Sequence, residues 1–263
     1  MGSSMSRPTA NLVRCAALDL GIQWTMFAVA ATLKTEKFYD LVGSGTFALL
    51  AVQSLRWGGH YHLRQKVQTG MVVTWGLRLG GHLFSRVMAA GGDSRFNKVR
   101  GNPKVFFMYW TVQALWILAT LLPTLILNLE KKDKVIGIRD YIGWGLWGAG
   151  FLIETLADRQ KSVFRADPDN AGKFIDSGLW SVSRHPNYLG EILLWSGMYL
   201  SASSVMSGWQ HVSVISPFFV WFLLTRVSGI PILERQGMKR YGSDPRYLEY
   251  LKNVPVLFPF FKK

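Results

Sequence analysis

The sequence predicts an all-α protein that crosses a membrane several times, as a polytopic helical bundle of about seven spans. Of the 263 residues, 49% are hydrophobic and only 17% are charged, whereas a soluble domain carries about 25% charged residues. The apolar residues also come in blocks, with lysine and arginine concentrated in the loops between them. This distribution is typical of a polytopic membrane protein.

Seven apolar segments have lengths close to the ~20 residues that a helix needs to cross a bilayer. They cover residues 11–33, 39–55, 67–88, 104–128, 139–157, 187–207 and 209–230. The last two segments are joined only through Ser207 and Gly208, which predicts an antiparallel hairpin. Residues 158–185 and 234–263 should then lie on the same side of the membrane. Because both are basic, we expect that side to be the cytosol.

The charge balance and the cysteine count exclude several classes of partner. The chain contains thirty lysines and arginines and sixteen acidic residues, an excess that on a soluble chain would suggest nucleic-acid binding. Here the basic residues flank apolar blocks, where anionic lipid headgroups account for them, so we expect membrane lipids and no nucleic acid. Cys15 is the only cysteine and the five histidines show no metal-ligand spacing, so we predict no metal.

The chain is expected to form one integral membrane domain, residues 1–263, that begins with a polar tail at residues 1–10. Such a protein would be multi-pass, and in a eukaryote we expect it in the endoplasmic reticulum. The densest group of polar residues beside apolar segments lies at 140–263. This C-terminal region is where we expect a cofactor to bind.

Four ionisable residues recur on one helical face at the end of the fifth apolar segment. They are Glu154, Asp158, Lys161 and Arg165, spaced i, i+4, i+7 and i+11. Such spacing places all four on one side of an α-helix. A solvated face is the simplest interpretation, but the series begins inside an apolar block, where ionisable groups usually face a cavity or one another. The pattern therefore favours a functional polar face.

The next apolar segment begins with the polar motif SRHPNYLGEILLW. Pro186 suits the first turn of a helix, so Arg184 and His185 should lie at a helix N-terminus, which favours an anion such as phosphate. Asn187 and Glu191 follow as an i, i+4 pair on one face. A purely structural ion pair of Glu191 is the alternative interpretation.

The segments around this motif complete the predicted site. Trp195 lies one turn beyond Glu191, and Gly190 and Gly197 would let a neighbouring helix or a ligand come close. The tail that begins at Glu234 and Arg235 is basic and aromatic, so it should either lie on headgroups or cap a cofactor pocket. Together, these segments would form a cytosol-facing cleft with cations for phosphates and carboxylates for ribose or amide groups.

The hexapeptide GSGTFA, residues 43–48, matches the dinucleotide-binding fingerprint by letters alone. It lacks the strand that precedes this fingerprint in a βαβ unit, so a soluble dinucleotide site is not expected. We expect its glycines to serve close helix packing instead.

Several motifs resemble the DUF1295 family of membrane proteins, which is related to steroid 5-alpha-reductases. The resemblance covers residues 142–260 through SRHPNYLGEILLW, ADRQKSVFRADPDNAGKFIDSGLW and KRYGSDPRYLEYLKNVPVLFP, and extends to WGLRLGGHLFSR in the N-terminal half. The wider superfamily includes sterol reductases and isoprenylcysteine carboxyl methyltransferases. The resemblance implies a C-terminal helical region that holds an adenine-containing cofactor.

The resemblance also implies NADPH as the cofactor and suggests the residues that contact it. Asp158 and Arg165 resemble the acidic and basic cofactor contacts of the 5-alpha-reductases. The residues that resemble the family's elements lining the nicotinamide half of the cofactor are Asn187, Tyr188, Glu191 and Trp195. The steroid reductases have a substrate-polarising tyrosine at a position that corresponds here to Leu83, so the resemblance implies the cofactor more strongly than it implies a steroid.

The sequence therefore predicts an NADPH-dependent reductase of an activated C=C bond in a sterol, steroid or other lipophilic substrate that enters from the bilayer. Asp40, Tyr39 and Glu191 are the candidates for the acid that polarises the substrate carbonyl. Two alternatives stay open. One is an S-adenosylmethionine-dependent membrane methyltransferase of the isoprenylcysteine type, and the other is a non-catalytic sterol-binding membrane protein.

Overall fold

The computed structural model describes residues 6–259, and these contain helices and no strand. The α-helices within them are α1 Arg7–Thr32, α2 Tyr39–Gly58, α3 Leu63–Ala89, α4 Pro103–Leu129, α5 Ile138–Ala166, α6 Pro186–Ala202, α7 Ile215–Phe222, α8 Ile230–Tyr241 and α9 Pro245–Asn253. The prediction of an all-α protein is confirmed. α1 begins inside the predicted polar tail at residues 1–10, the first five of which lie outside the described residues.

Three helical stretches are long and apolar enough to cross a membrane: Arg7–Thr32, Pro103–Leu129 and Gly208–Tyr241. The last one contains a 3₁₀ turn at Gly208–Val214 and a π-helical segment at Leu223–Val227, on either side of α7. These stretches support an integral membrane protein. The remaining predicted segments also coincide with helices, and a total of about seven spans stays a prediction.

The connection between the last two predicted segments is longer than the sequence suggests. α6 ends at Ala202 and a turn follows at residues 203–205, where the amide of Ser204 donates to the carbonyl of Ser201 at 3.1 Å. The predicted boundary at residue 207 was wrong because serine side chains offer the backbone alternative hydrogen bonds and weaken a helix interior.

The chain divides into two compact units. The N-terminal unit comprises Met1–Asp140 with Ser201–Ser216, and the C-terminal unit comprises Tyr141–Leu200 with Pro217–Lys263. The description of the chain as one domain stays a prediction.

Small residues allow the helices of the N-terminal unit to pack closely. A Cβ atom on Gly80 of α3 would lie 2.9 Å from the Cβ of Ser44 on α2, and one on Gly43 would lie 3.0 Å from the Gln113 side chain. Gly45 has no such neighbour within 4 Å. Of the two fingerprint-like glycines, only Gly43 therefore serves close packing.

Buried polar side chains connect the helices of the same unit. The amide of Asn128 on α4 donates to the carbonyl of Ala51 and to the hydroxyls of Ser54 and Thr69, each at 3.0 Å. These groups are satisfied inside the unit, which is the requirement for polar side chains buried between helices.

A buried ion pair joins the start of α3 to the start of α5 in this unit. The fully buried guanidinium of Arg64 donates to both carboxylate oxygens of Asp140, at 2.6 and 2.9 Å, and it also contacts Asp133. Ser201 donates a further hydrogen bond to Asp140 at 2.8 Å. The carboxylate of Asp140 thus has three side-chain donor contacts from two partners.

Candidate cofactor site

The backbones of α5 and α6 touch at two pairs of glycines within the C-terminal unit. A Cβ on Gly150 would lie 2.5 Å from the carbonyl oxygen of Gly190, and a Cβ on Gly197 would lie 2.3 Å from that of Gly143. The earlier glycine of one helix thus meets the later glycine of the other, so the two helices run antiparallel. The expectation that Gly190 and Gly197 admit a neighbouring helix is confirmed, and that helix is α5.

This close approach brings the polar face of α5 against the polar face of α6. The side-chain amide of Asn187 donates to Oδ1 of Asp158 at 3.2 Å. A Cβ on Gly190 would lie 2.9 Å from the Cβ of Glu154. Glu154, Asp158 and Glu191 are all buried. Two polar stripes that the sequence shows on separate helices are therefore parts of one cluster.

On α6 the carboxylate of Glu191 is held from its own helix. The indole N–H of Trp195, which is fully buried, donates to Oε1 of Glu191 at 3.0 Å. The i, i+4 spacing places the two side chains in reach of each other. The bond orients one carboxylate oxygen of Glu191 toward the indole.

The residues before α6 form a second cluster around Glu234 of α8. Nη1 of Arg184 donates to Oε2 of Glu234 at 2.7 Å, and Nε2 of His185 lies 2.9 Å from Oε1. The ring of His185 stacks on Tyr188 with centroids 5.6 Å apart. Arg184 and His185 do lie immediately before the helix, as predicted. Their nearest anion is a carboxylate of the same chain.

Burial lowers the pKa of His185 below its ordinary value, although the hydrogen bond with Glu234 acts in the opposite direction. A neutral ring that donates to Glu234 through Nε2 carries a bare Nδ1, which is an acceptor. Among residues 6–259, this Nδ1 and the Nε of Arg184 are buried without a hydrogen-bond partner. Buried polar atoms without partners are uncommon in folded proteins and indicate a place where a ligand or water completes the structure.

The tail packs on the loop between α5 and α6. The hydroxyl of Tyr250 on α9 donates to the carbonyl of Trp180 at 2.8 Å, and that of Tyr241 donates to the carbonyl of Lys173 at 3.0 Å. The ring of Phe174 packs against Tyr247 with centroids 5.0 Å apart. The amide of Arg184 donates to the carbonyl of Pro255 at 2.9 Å. Of the two interpretations of the tail, these contacts support a cap over the site.

Trp180 is a site-organising residue that the sequence reasoning missed. Its indole N–H donates to the carbonyl of Ala157 at 3.1 Å, and the ammonium of Lys161 lies 4.3 Å from its ring centroid. The ring holds Lys161 against the loop by a cation–π contact. The spacing of tryptophan and lysine along the chain contains no periodic signal that would have indicated this pair.

The other residues predicted to contact a cofactor lie at the margins of the polar cluster formed by α5 and α6. Arg165 and Arg235 are exposed, whereas Lys161 and Glu234 are half-buried. The polar face of α5 therefore grades from buried carboxylates to exposed cations along the helix axis. That gradient suits a ligand whose charged end faces solvent.

The predicted acids Asp40 and Tyr39 belong to the N-terminal unit, where both have partners. Asp40 accepts from the guanidinium of Arg95 at 2.7 Å, and the hydroxyl of Tyr39 donates to the carbonyl of Tyr109 at 2.8 Å. The ring of Tyr39 packs edge-on against Trp110 with centroids 4.9 Å apart. A catalytic role for either residue stays a prediction.

The described residues contain no group of three or more histidine, cysteine or acidic side chains arranged to hold a metal ion. Cys15 is a buried free thiol.

Comparison with known proteins now places the chain in a family. The family described as "Protein of unknown function (DUF1295)" matches residues 26–254. This match covers most of the chain, so the protein belongs to DUF1295, and the resemblance found in the sequence is confirmed.

Curated relatives include proteins named as a steroid dehydrogenase, a sterol reductase and a probable O-methyltransferase. The chain is 38% identical over 127 residues to 3-oxo-5-alpha-steroid 4-dehydrogenase 1 of Macaca fascicularis, a match that covers 48% of this chain and 44% of the relative. It is 31% identical over 121 residues to a Delta(14)-sterol reductase of Mus musculus, covering 40% and 27%. It is also 31% identical over 104 residues to a protein named probable O-methyltransferase from Ustilaginoidea virens, covering 40% and 34%.

In each of these matches, the chain spans less than half the length of the curated relative. No solved structure matches it. The comparisons relate the protein to steroid and sterol reductases at the level of the family.

Proposed function

We propose that the protein is an NADPH-dependent, multi-pass membrane reductase of an activated C=C bond in a sterol, steroid or other lipophilic substrate. The observation that carries the proposal is the hydrogen bond between Asn187 and Asp158, which joins the polar faces of α5 and α6 beside the Arg184–His185 pair. Similarity to steroid and sterol reductases supports the same chemistry.

The residues present fit such a cofactor. The exposed Arg165 and the half-buried Lys161 and Arg184 supply cations on the outer side of the cluster for its phosphates. The partnerless Nε of Arg184 and Nδ1 of His185 are available to a further polar group. On the inner side, the buried carboxylate of Asp158 and the half-buried amide of Asn187 would hold hydroxyl or carboxamide groups.

The bound cofactor would supply a hydride, which an enone accepts at its β-carbon while a proton is added at the α-carbon. This chain's own task is to hold the nicotinamide end, to exclude water and to polarise the substrate carbonyl. Of the three candidate acids, Glu191 is the one that lies in the polar cluster, on α6. Asp40 and Tyr39 remain candidates from the N-terminal unit.

Thermal unfolding of the detergent-purified protein with NADPH, NADH or S-adenosylmethionine tests the cofactor. A ligand that binds only the folded state raises the unfolding midpoint. We expect NADPH to raise it, and we expect Arg165→Ala and Asn187→Ala to reduce the increase. Arg139→Ala removes an exposed arginine from the other end of α5 and serves as the matched control.

Turnover distinguishes an enzyme from a binding protein. We expect the protein to oxidise NADPH in the presence of a lipophilic enone such as a 3-keto-4-ene steroid, and we expect Glu191→Gln to slow this reaction. Stabilisation by NADPH without turnover on a panel of enone lipids would instead favour a non-catalytic sterol-binding protein.

A methyltransferase is the second candidate, because the chain is similar to a protein named as an O-methyltransferase. S-adenosylmethionine contains no phosphate, so the cations around the cluster have no evident role in that reaction. Stabilisation by S-adenosylmethionine and not by NADPH would overturn the reductase proposal and assign the cluster to methyl transfer.

A further inference from the structure

The side of α5 that faces away from the polar cluster lines a separate groove within the C-terminal unit. Its volume is about 520 Å³, within the range of small-molecule sites. The lining residues are Leu156, Arg159, Gln160, Val163, Phe164, Asp167, Asn170, Ile175, Ser177 and Gly178. At 100° per residue, this set lies opposite Glu154, Asp158, Lys161 and Arg165 on the helix.

The far wall of this groove is held firmly in place. Gln160 accepts a hydrogen bond from the amide of Leu179 at 2.9 Å, and it lies so close to Gly178 that a Cβ there would be 2.7 Å away. Gly178 also has a φ of +60°, which a side chain would disfavour. The loop that forms this wall of the groove is therefore fixed against α5.

An apolar stripe of α5 leads into the groove. Leu152, Leu156 and Val163 share this face and are 59%, 48% and 63% exposed. Leu152 and Leu156 belong to the predicted span at 139–157, where lipid tails would cover them. The groove begins at Leu156, where that predicted span ends, so it would lie near the lipid headgroups if α5 crosses the bilayer as predicted.

The charged groups of the groove occur in a fixed order along the helix. Arg159 comes first, is exposed, and takes part in none of the ion pairs formed among residues 6–259. Asp167 follows about 12 Å further along the axis, directly after the last carbonyl groups of α5, which favour a cation. Asp167 accepts from the amide of Asp169 at 3.0 Å and from the side chain of Asn170 at 3.2 Å, and a carboxylate has acceptor sites beyond these two.

We infer that this groove binds a phospholipid with an ethanolamine headgroup. The order along α5 of apolar side chains, a cation and then an anion with helix carbonyls matches the order in such a lipid of acyl chains, phosphate and ammonium. Arg159 binds the phosphate, and Asp167 with the carbonyl end of α5 accepts hydrogen bonds from the primary ammonium. A purely anionic headgroup would place a negative charge or a neutral group beside Asp167, where a cation is favoured. A choline headgroup is cationic but has no N–H to donate to Asp167.

Native mass spectrometry of the protein released from nanodiscs tests this site, with ethanolamine, choline and glycerol phospholipids of identical acyl chains compared. We expect the ethanolamine lipid to be retained best. Arg159→Gln and Asp167→Asn should each lower that retention about tenfold, the value of one charge-assisted contact. Asn keeps the ability to cap the following turn, so the second variant removes charge and preserves the loop.

Arg139→Gln, at the other end of α5, is the matched control and should leave retention unchanged. Equal or better retention of the glycerol or choline lipid would overturn the headgroup assignment. Unchanged retention in both groove variants, with unfolding midpoints like that of the unaltered protein, would show that the lipid binds elsewhere. Both readouts are independent of NADPH, so the result stands whether or not the protein is a reductase.

Discussion

A Cβ atom on Gly190 would lie 2.5 Å from the carbonyl oxygen of Gly150, so α5 and α6 are in backbone contact beside the polar cluster. Gly190→Ala should therefore force the helices apart and lower the free energy of unfolding by about 1–3 kcal/mol, the usual cost of overpacking. Because Asp158 and Asn187 meet across the same contact, the variant should also bind NADPH more weakly. The unfolding midpoint with and without NADPH measures both effects.

Gly148→Ala is the control for this prediction, because a Cβ at that position of α5 meets nothing within 4 Å. Alanine has the higher helix propensity, so this variant should be as stable as the unaltered protein or more stable by about 0.5–1 kcal/mol. Equal losses in both variants would mean that glycine content and not helix contact determines the stability of α5.

The stability of the protein should fall in mild acid through His185. Burial lowers the pKa of this ring despite its bond to Glu234, so the folded-state pKa lies below the ordinary value of 6.5. Between these two values, the unfolded chain takes up a proton and the folded protein does not. The stabilising contribution is therefore complete above pH 6.5 and is lost as the pH falls below it.

The unfolding midpoint measured from about pH 8 to about pH 5.5 checks this sign. The charged groups that face His185 are Glu234, Arg184 and Lys161, and none of these types normally titrates in that range. His185→Gln keeps a donor for Glu234 and should flatten the profile. A profile equally steep in this variant would assign the acid sensitivity to another group.

Removal of the buried cation Arg64 should destabilise the N-terminal unit strongly. Arg64→Met leaves Asp140 buried without its guanidinium partner, and the loss of one member of a buried pair costs about 3–5 kcal/mol. The double variant Arg64→Met with Asp140→Leu removes both charges and should recover part of this loss. Equilibrium unfolding in mixed detergent measures both, with Arg56→Met, at an exposed arginine of α2, as the control.

The tail cap should loosen when Tyr250 loses its hydroxyl. The bond from Tyr250 to the carbonyl of Trp180 joins α9 to the loop before α6, and Tyr250→Phe should cost about 1 kcal/mol. Limited proteolysis after α8 should become faster, because local opening of the tail becomes more frequent. Tyr141→Phe alters an exposed ring and should leave the cleavage rate unchanged.

Helical periodicity allowed much of this protein to be predicted. The apolar blocks predicted the positions of α1 to α6, and the i, i+4, i+7 spacing predicted that Glu154, Asp158 and Lys161 share one face of α5. The motif before α6 correctly placed Arg184 and His185 ahead of a helix that begins at Pro186. The same motifs also indicated the DUF1295 family. These features depend on residues that are near one another in the chain, where the geometry of a single helix determines which side chains meet.

The partners of those residues were decided by tertiary structure. Glu234 lies 49 residues from His185, and Asn187 lies 29 residues from Asp158. The glycine pairs that set the contact of α5 with α6 have equal spacing on both helices, Gly143 with Gly150 and Gly190 with Gly197, and this was the one available signal of their pairing. Periodicity determines which face a helix presents, but the choice of the face it meets depends on how complete helices pack against each other, and no local pattern contains that information.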